Sequence, residues 1–119
     1  DLWFRSQARK MLSPGADEAL CRWLAEELAH TPHRNYFEVA WSIRNWEAGP
    51  RLSEITSPTL ILVGERDHVT SPVYSRFINE RMPRSKLVIL PSQGHYVALE
   101  QPDMINRHIL SFLSEIGYT

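Results

Sequence analysis

The sequence predicts an α/β fold in which a helical segment precedes a strand–helix–strand–helix unit forming the last part of a parallel sheet. Two short apolar runs, Thr59–Val63 and Leu87–Leu90, end in turn residues and lack polar alternation, the pattern of strands covered on both faces. Between them, Val73, Tyr74, Phe77, Ile78 and Met82 recur at the three- and four-residue spacings of a one-sided helix. Residues 1–47 instead carry helical spacing throughout, together with all four tryptophans, Trp3, Trp23, Trp41 and Trp46.

In chain order, Leu2, Trp3, Phe4, Ala8, Met11 and Leu12 suit an amphipathic helix over residues 1–12, and Ser13-Pro14-Gly15 ends it. Asp17 and Glu18 then place negative charge in a first helical turn, where the helix dipole favours it. Leu20, Trp23, Leu24 and Leu28 form the expected buried stripe of that second helix, which should stop near His30. Thr31-Pro32 opens a third, with Tyr36, Phe37, Ala40, Trp41 and Ile43 on its apolar side, and the breaker cluster Ala48-Gly49-Pro50 closes it beyond Glu47. Leu52 and Ile55 are expected to anchor the return of the chain, and Pro58 sets an extended entry into the first strand. Ser71 and Pro72 read as the cap and first residue of the crossover helix. The last helix opens near Gln101-Pro102, buries Ile105, Ile109, Phe112, Leu113 and Ile116, and stops at Gly117. Residues 1–50 are thus expected to form one helical unit and 51–119 the strand-bearing unit.

Composition narrows the function class. The 119 residues are 43% hydrophobic, enough for one small core, and no apolar run approaches the ~20 residues of a membrane span. With a net charge of −1 and scattered basic residues, nothing calls for nucleic acid or a membrane surface as partner. Cys21 has no partner for an internal disulfide and reads as a small core residue, compatible with a cytoplasmic location. His30 and His33 lack neighbouring ligands at metal spacing, so no metal or cofactor is expected. The chain starts Asp1-Leu-Trp-Phe without an initiator methionine and reads as a piece of something longer. Two strands joined by one crossover would leave both sheet edges bare, so a partner segment is implied.

The chemistry lies at the strand ends. The first strand runs into Gly64 and delivers Asp67, and the second runs through Ser92-Gln93-Gly94 into His95. The right-handed crossover makes the strands parallel, which brings both C-terminal ends to one sheet edge, where ligands of open α/β sheets bind. A carboxylate can hold the proton of one imidazole nitrogen and leave the other as a base.

Pro58–Asp67, Gly94-His95 and the Glu100-Gln-Pro helix opening resemble the C-terminal half of an α/β-hydrolase. In that family the acid follows the penultimate core strand and the histidine the last, in the order nucleophile, acid, histidine. The resemblance implies Asp67 as acid, His95 as base, and residues 1–50 as a cap over the active site. Trp41 in that cap, His68 beside the acid and Tyr96 beside the base are the candidate substrate-lining residues. Glu65 and Arg66 are expected to shape the acid loop, Glu100 to fix the start of the last helix, and His108 to be structural. The Gly-x-Ser-x-Gly elbow that carries the nucleophile is not found in these residues, so serine and oxyanion hole are expected from an N-terminal half. The implied substrate is a small, mostly apolar ester, and the chain alone is expected to be inactive. Relatives with an aspartate nucleophile, which open epoxides or carbon–halogen bonds, share this half. A non-catalytic binding module using the aromatic helices, or a homo-oligomer exchanging segments, are the other readings.

Overall fold

A computed structural model describes residues 2–118, without the side chains of His33 and Tyr36. The order is α1 (Leu2–Met11), α2 (Glu18–His30), α3 (His33–Asn45), a 3-10 turn (Gly49–Glu54), β1 (Thr59–Gly64), α4 (Pro72–Arg81), β2 (Ser85–Leu90), α5 (Val97–Glu100) and α6 (Pro102–Glu115). The expected elements are present, and the 3-10 turn and α5 are additions where a breaker cluster and a simple lead-in were expected.

α1 and α2 form a hairpin whose core is Ala8, Leu12, Cys21, Leu24 and Ala25, with Phe4, Met11, Leu20, Leu28 and Tyr96 packed on it. The Asp17 carboxylate caps α2 by accepting from the Ala19 N–H. Arg5 and Arg9 both pair with Glu18 and tie the two helices at their surface. The seam is rotated from the expected stripe: it follows Cys21, Leu24 and Ala25, while Trp23 is 46% exposed. Small side chains let two helix backbones approach, and an indole at that seam would hold them apart. None of the four tryptophans is buried. The apolar side expected of α3 is likewise left uncovered: every described side chain of α3 is exposed, with Phe37, Trp41 and Ile43 at 69, 65 and 67%.

Leu52 anchors the return of the chain as expected, being 8% exposed, whereas Ile55 faces outward. β1 and β2 pair in parallel, from Thr59 opposite Ser85 to Gly64 opposite Leu90. α4 lies against both strands and α6 against β1. Val63 and Leu90 are buried, but Leu60–Leu62 and Leu87–Ile89 are only half-buried, short of the two-sided cover their sequence calls for. A sheet of two strands presents too little width to be enclosed by the helices beside it. α4 likewise turns Ile78 inward and is followed by the buried Met82, while Val73 and Tyr74 are exposed and Phe77 lies under the Arg81 guanidinium, 3.4 Å from its ring centre. α6 closes at Gly117, φ +71°, with the Tyr118 N–H donating to the Leu113 carbonyl and Gly117 N–H to that of Ser114, the left-handed glycine stop.

Candidate active site at the strand ends

Parallel pairing carries the ends of β1 and β2 to one edge, and the loops after them interlock. Glu65 N–H donates to the Leu90 carbonyl and Arg66 N–H to that of Gln93, both at 2.9 Å. The Glu65 carboxylate in turn accepts from Ser92 N–H at 2.9 Å, where Ser92 holds the uncommon φ of +61°. These loops pass so closely that a Cβ on Gly64 would stand 2.4 Å from the carbonyl oxygens of Gln93 and Gly94. Gly64 is required by that approach rather than by a special backbone angle.

Asp67 is 6% exposed yet fully satisfied. Its Oδ1 accepts from the N–H groups of Val69 and Thr70, both at 2.8 Å, and Oδ2 accepts from the Thr70 hydroxyl at 2.9 Å. His95 Nδ1 lies 2.9 Å from the same Oδ2. Burial pushes the Asp67 carboxyl up, but the hydrogen bonds from His95, Thr70 and Val69 together outweigh it and hold its pKa below the usual value. An ionised Asp67 can only accept, so Nδ1 carries the proton and Nε2 is left with its lone pair. His95 is half-buried and meets the Tyr96 ring edge-to-face, 5.2 Å between centroids. The site can thus hold a base at Nε2 and stabilise the imidazolium that forms when it takes a proton.

The structure brings Asp67, His95 and Tyr96 together. His68 is exposed beside them. Trp41 stands on α3, where its ring partner is Arg44 at 5.9 Å. One cavity, of about 310 Å³, lies among Trp3, Phe4, Gln7, Met11, Leu28, Thr31 and Phe37; another, of about 380 Å³, lies around Trp46, Arg51 and Ile55. Neither is lined by Asp67 or His95. His30 Nδ1 bonds the Glu26 carbonyl at 2.7 Å, an ordinary use near a helix end, and His108 is half-buried on α6. No group of metal-ligating side chains occurs among the described residues, and no helix there is long and apolar enough to cross a membrane.

Three contributors were not foreseen in these roles. Thr70 holds Asp67 through both backbone and hydroxyl, for which a threonine three residues after an aspartate is a weak local signal. Ser13 is buried beside Gly94, and Glu100 reaches back to Ser13 rather than capping α6. No local pattern reports those contacts, because they join residues more than 80 positions apart.

A family model described as TAP-like protein, of the α/β-hydrolase type, matches residues 39–117. The chain is 33% identical over 81 residues to a proline iminopeptidase of Thermoplasma volcanium, covering 68% of this chain and 27% of that protein. A 2-hydroxy-6-oxo-6-phenylhexa-2,4-dienoate hydrolase of Burkholderia cepacia is 33% identical over 69 residues, 58% of this chain and 24% of its own length. Among solved structures, an esterase from Exiguobacterium antarcticum superposes with a TM-score of 0.82 over 93% of this chain and 41% of its own, at 19% identity. The chain spans about a quarter of the length of the curated relatives it matches.

Proposed function

This chain belongs to the α/β-hydrolase family, and from that premise we propose that it supplies the acid and the base of a hydrolase acting on a small, mostly apolar ester or related acyl substrate. The observation that carries this reading is the 2.9 Å contact between His95 Nδ1 and Asp67 Oδ2 at the C-terminal edge of two parallel strands. His95 Nε2 takes the proton of a serine hydroxyl as that oxygen attacks the acyl carbon, then returns it to the leaving group. It next draws a proton from water as that oxygen attacks the acyl carbon, and passes the proton to the serine oxygen as the acid departs. Asp67 fixes the ring and its tautomer and balances the imidazolium charge. Serine and oxyanion hole come from an N-terminal segment outside these 119 residues, in keeping with the quarter of the length of its relatives that the chain spans. Residues 1–50 act as the cap, and Tyr96, His68 and Trp41 face the substrate.

The test compares hydrolysis of a 4-nitrophenyl ester by the 119-residue chain alone and by the chain joined to a segment bearing the elbow. The chain alone should show no saturable turnover. The joined protein should turn over, and His95→Ala should lower its kcat by roughly 10⁴-fold or more. Saturable turnover by the chain alone, abolished by His95→Ala, would refute the division of the triad; full activity of the joined His95→Ala protein would refute the role of His95.

A second reading, a non-catalytic binding module, rests on the exposed apolar side chains of α3. It predicts that the joined protein stays inert while still binding an apolar ligand.

A further inference from the structure

Three consecutive backbone N–H groups of the histidine loop donate into one short segment, the end of α1 and the turn after it. Gly94 N–H donates to Ser13 Oγ at 2.8 Å, and His95 and Tyr96 N–H both donate to the Met11 carbonyl, at 2.8 and 3.3 Å. Ser13, 8% exposed, is itself gripped by Glu100. Its N–H is shared between both carboxylate oxygens at 3.0 and 3.1 Å, and its hydroxyl donates to Oε2 at 3.0 Å. The Gln93 side-chain oxygen is farther, at 3.4 Å, so the single hydroxyl proton belongs to Glu100. Gly94 N–H, Ser13 O–H and the Glu100 carboxylate therefore form a one-way chain of donors ending on a charge, the arrangement in which each bond strengthens the next. The contact is also sterically exclusive: a Cβ on Gly94 would lie 2.6 Å from the Leu12 carbonyl carbon and 2.7 Å from Ser13 N.

We propose that Ser13 and Glu100 are positioning residues, a latch that fixes the Gly94 backbone and thereby aims the His95 imidazole at Asp67. The proposal rests on the acid–base reading of Asp67 and His95 and adds the part that holds the base in place. Because the His95 ring is half-buried and its only described side-chain hydrogen-bond partners are Asp67 and Thr70, its aim depends on where its own backbone stands. A displacement of about 1 Å at such a group is enough to lower a rate by ~10²-fold. The latch also makes the helical hairpin and the base move as one body, since Met11 and Ser13 belong to the end of α1 and the turn after it.

The test reads the dyad and the latch directly, without relying on turnover. In the parent protein the His95 Nδ1 proton should give a downfield NMR signal that Asp67→Asn removes, and the Gly94 amide should be protected from exchange. In Ser13→Ala and Glu100→Ala, Gly94 exchange should rise about 10-fold and the downfield proton should broaden or vanish. Glu100→Gln, which keeps one oxygen for the Ser13 N–H but loses the charge and the second acceptor, should give values of both between those of the parent and the alanine variants, and being isosteric it also serves if the alanine variants fail to fold. A merely structural role would lower the melting temperature and raise Gly94 exchange through the lost bond, yet leave the downfield proton as in the parent, which overturns the proposal. If the parent itself lacks the downfield proton, the Asp67–His95 reading falls, and the latch has nothing to aim.

Discussion

At the scale of single residues, Asp67 shows how a buried charge is made tolerable. A carboxylate this far from water destabilises the fold unless it is paired and hydrogen-bonded, and Asp67 has four donors: Val69 N–H, Thr70 N–H, the Thr70 hydroxyl and His95 Nδ1. Burial is the largest single influence on its pKa and raises it, yet these bonds bring the net value below the ordinary one. The folded state therefore holds its proton less tightly than the unfolded chain. Between the folded pKa and the unfolded value, near 4, the unfolded chain binds the extra proton, so stability rises with pH across that window. The contribution is complete above the unfolded value and is lost as the pH falls through the folded one. Glu18, held down by its hydrogen bond to Arg5, and Glu115, held down by Lys86, act in the same direction, so acid lability alone does not single out Asp67. A difference experiment does. Urea midpoints of the parent and of Asp67→Asn should differ most near pH 6 and converge toward pH 3, because the other two carboxyls are common to both. A gap independent of pH would mean that the Asp67 charge contributes nothing to stability. Thr70 belongs to this argument as well: its hydroxyl reaches both Asp67 Oδ2 and, at 3.3 Å, His95 Nδ1, so the hydroxyl and the imidazole N–H share one carboxylate oxygen.

At the scale of elements, the glycines separate what a sequence displays from what it conceals. The strand, crossover helix and second strand were legible because periodicity and caps are local: Ser71 does accept from Val73 N–H, and β1 and β2 span the expected runs. The dyad was legible for the same reason, since chain order and handedness alone bring Asp67 and His95 to one edge. Hidden were the contacts made by backbone on backbone. Gly64 reads as a turn residue, yet its role is to let the Gln93–Gly94 carbonyls pass, and Gly94 is pressed against Leu12 and Ser13. Gly15 is the contrast, with φ +81° and open space where a Cβ would go. Replacement by alanine should therefore divide them. Gly15→Ala incurs only the left-handed penalty of about 1 kcal/mol. Gly64→Ala and Gly94→Ala must move main chain and should cost roughly 3 kcal/mol or more, the upper range for overpacking. Denaturant titration of the three variants checks this, and equal losses would show that conformation rather than crowding sets the choice of glycine. The rotated α2 seam is a second case of the same limit: Leu20, Trp23, Leu24 and Leu28 satisfy the helical period, but only the partner helix decides that Ala25 faces inward and Trp23 outward.

At the scale of the whole molecule, apolar surface is left where a sequence of this kind should have buried it. The middle residues of both strands are half-exposed, and α3 presents Val39, Trp41 and Ile43 outward. Both strands of the two-stranded sheet are edges, each with main-chain donors and acceptors that an added strand would satisfy. The pattern of Thr59–Val63, apolar at every position, fits a strand with cover on two sides, so sequence and fold disagree here in a direction that has a physical meaning: surface awaits a partner. Under the proposed assembly that partner is the elbow-bearing N-terminal segment. The 119-residue chain alone should then bind a hydrophobic dye such as ANS and unfold at low denaturant. Joining the segment should suppress the dye signal and raise the midpoint together, because one surface is responsible for both. Exchange of segments between two copies predicts a different pairing of results, in which dye binding is already weak in the chain alone and light scattering gives twice its mass. A monomer that neither binds dye nor gains stability from the segment would mean that the exposed strands and α3 are stable as they stand, and the division of the triad between two segments would lose its structural ground.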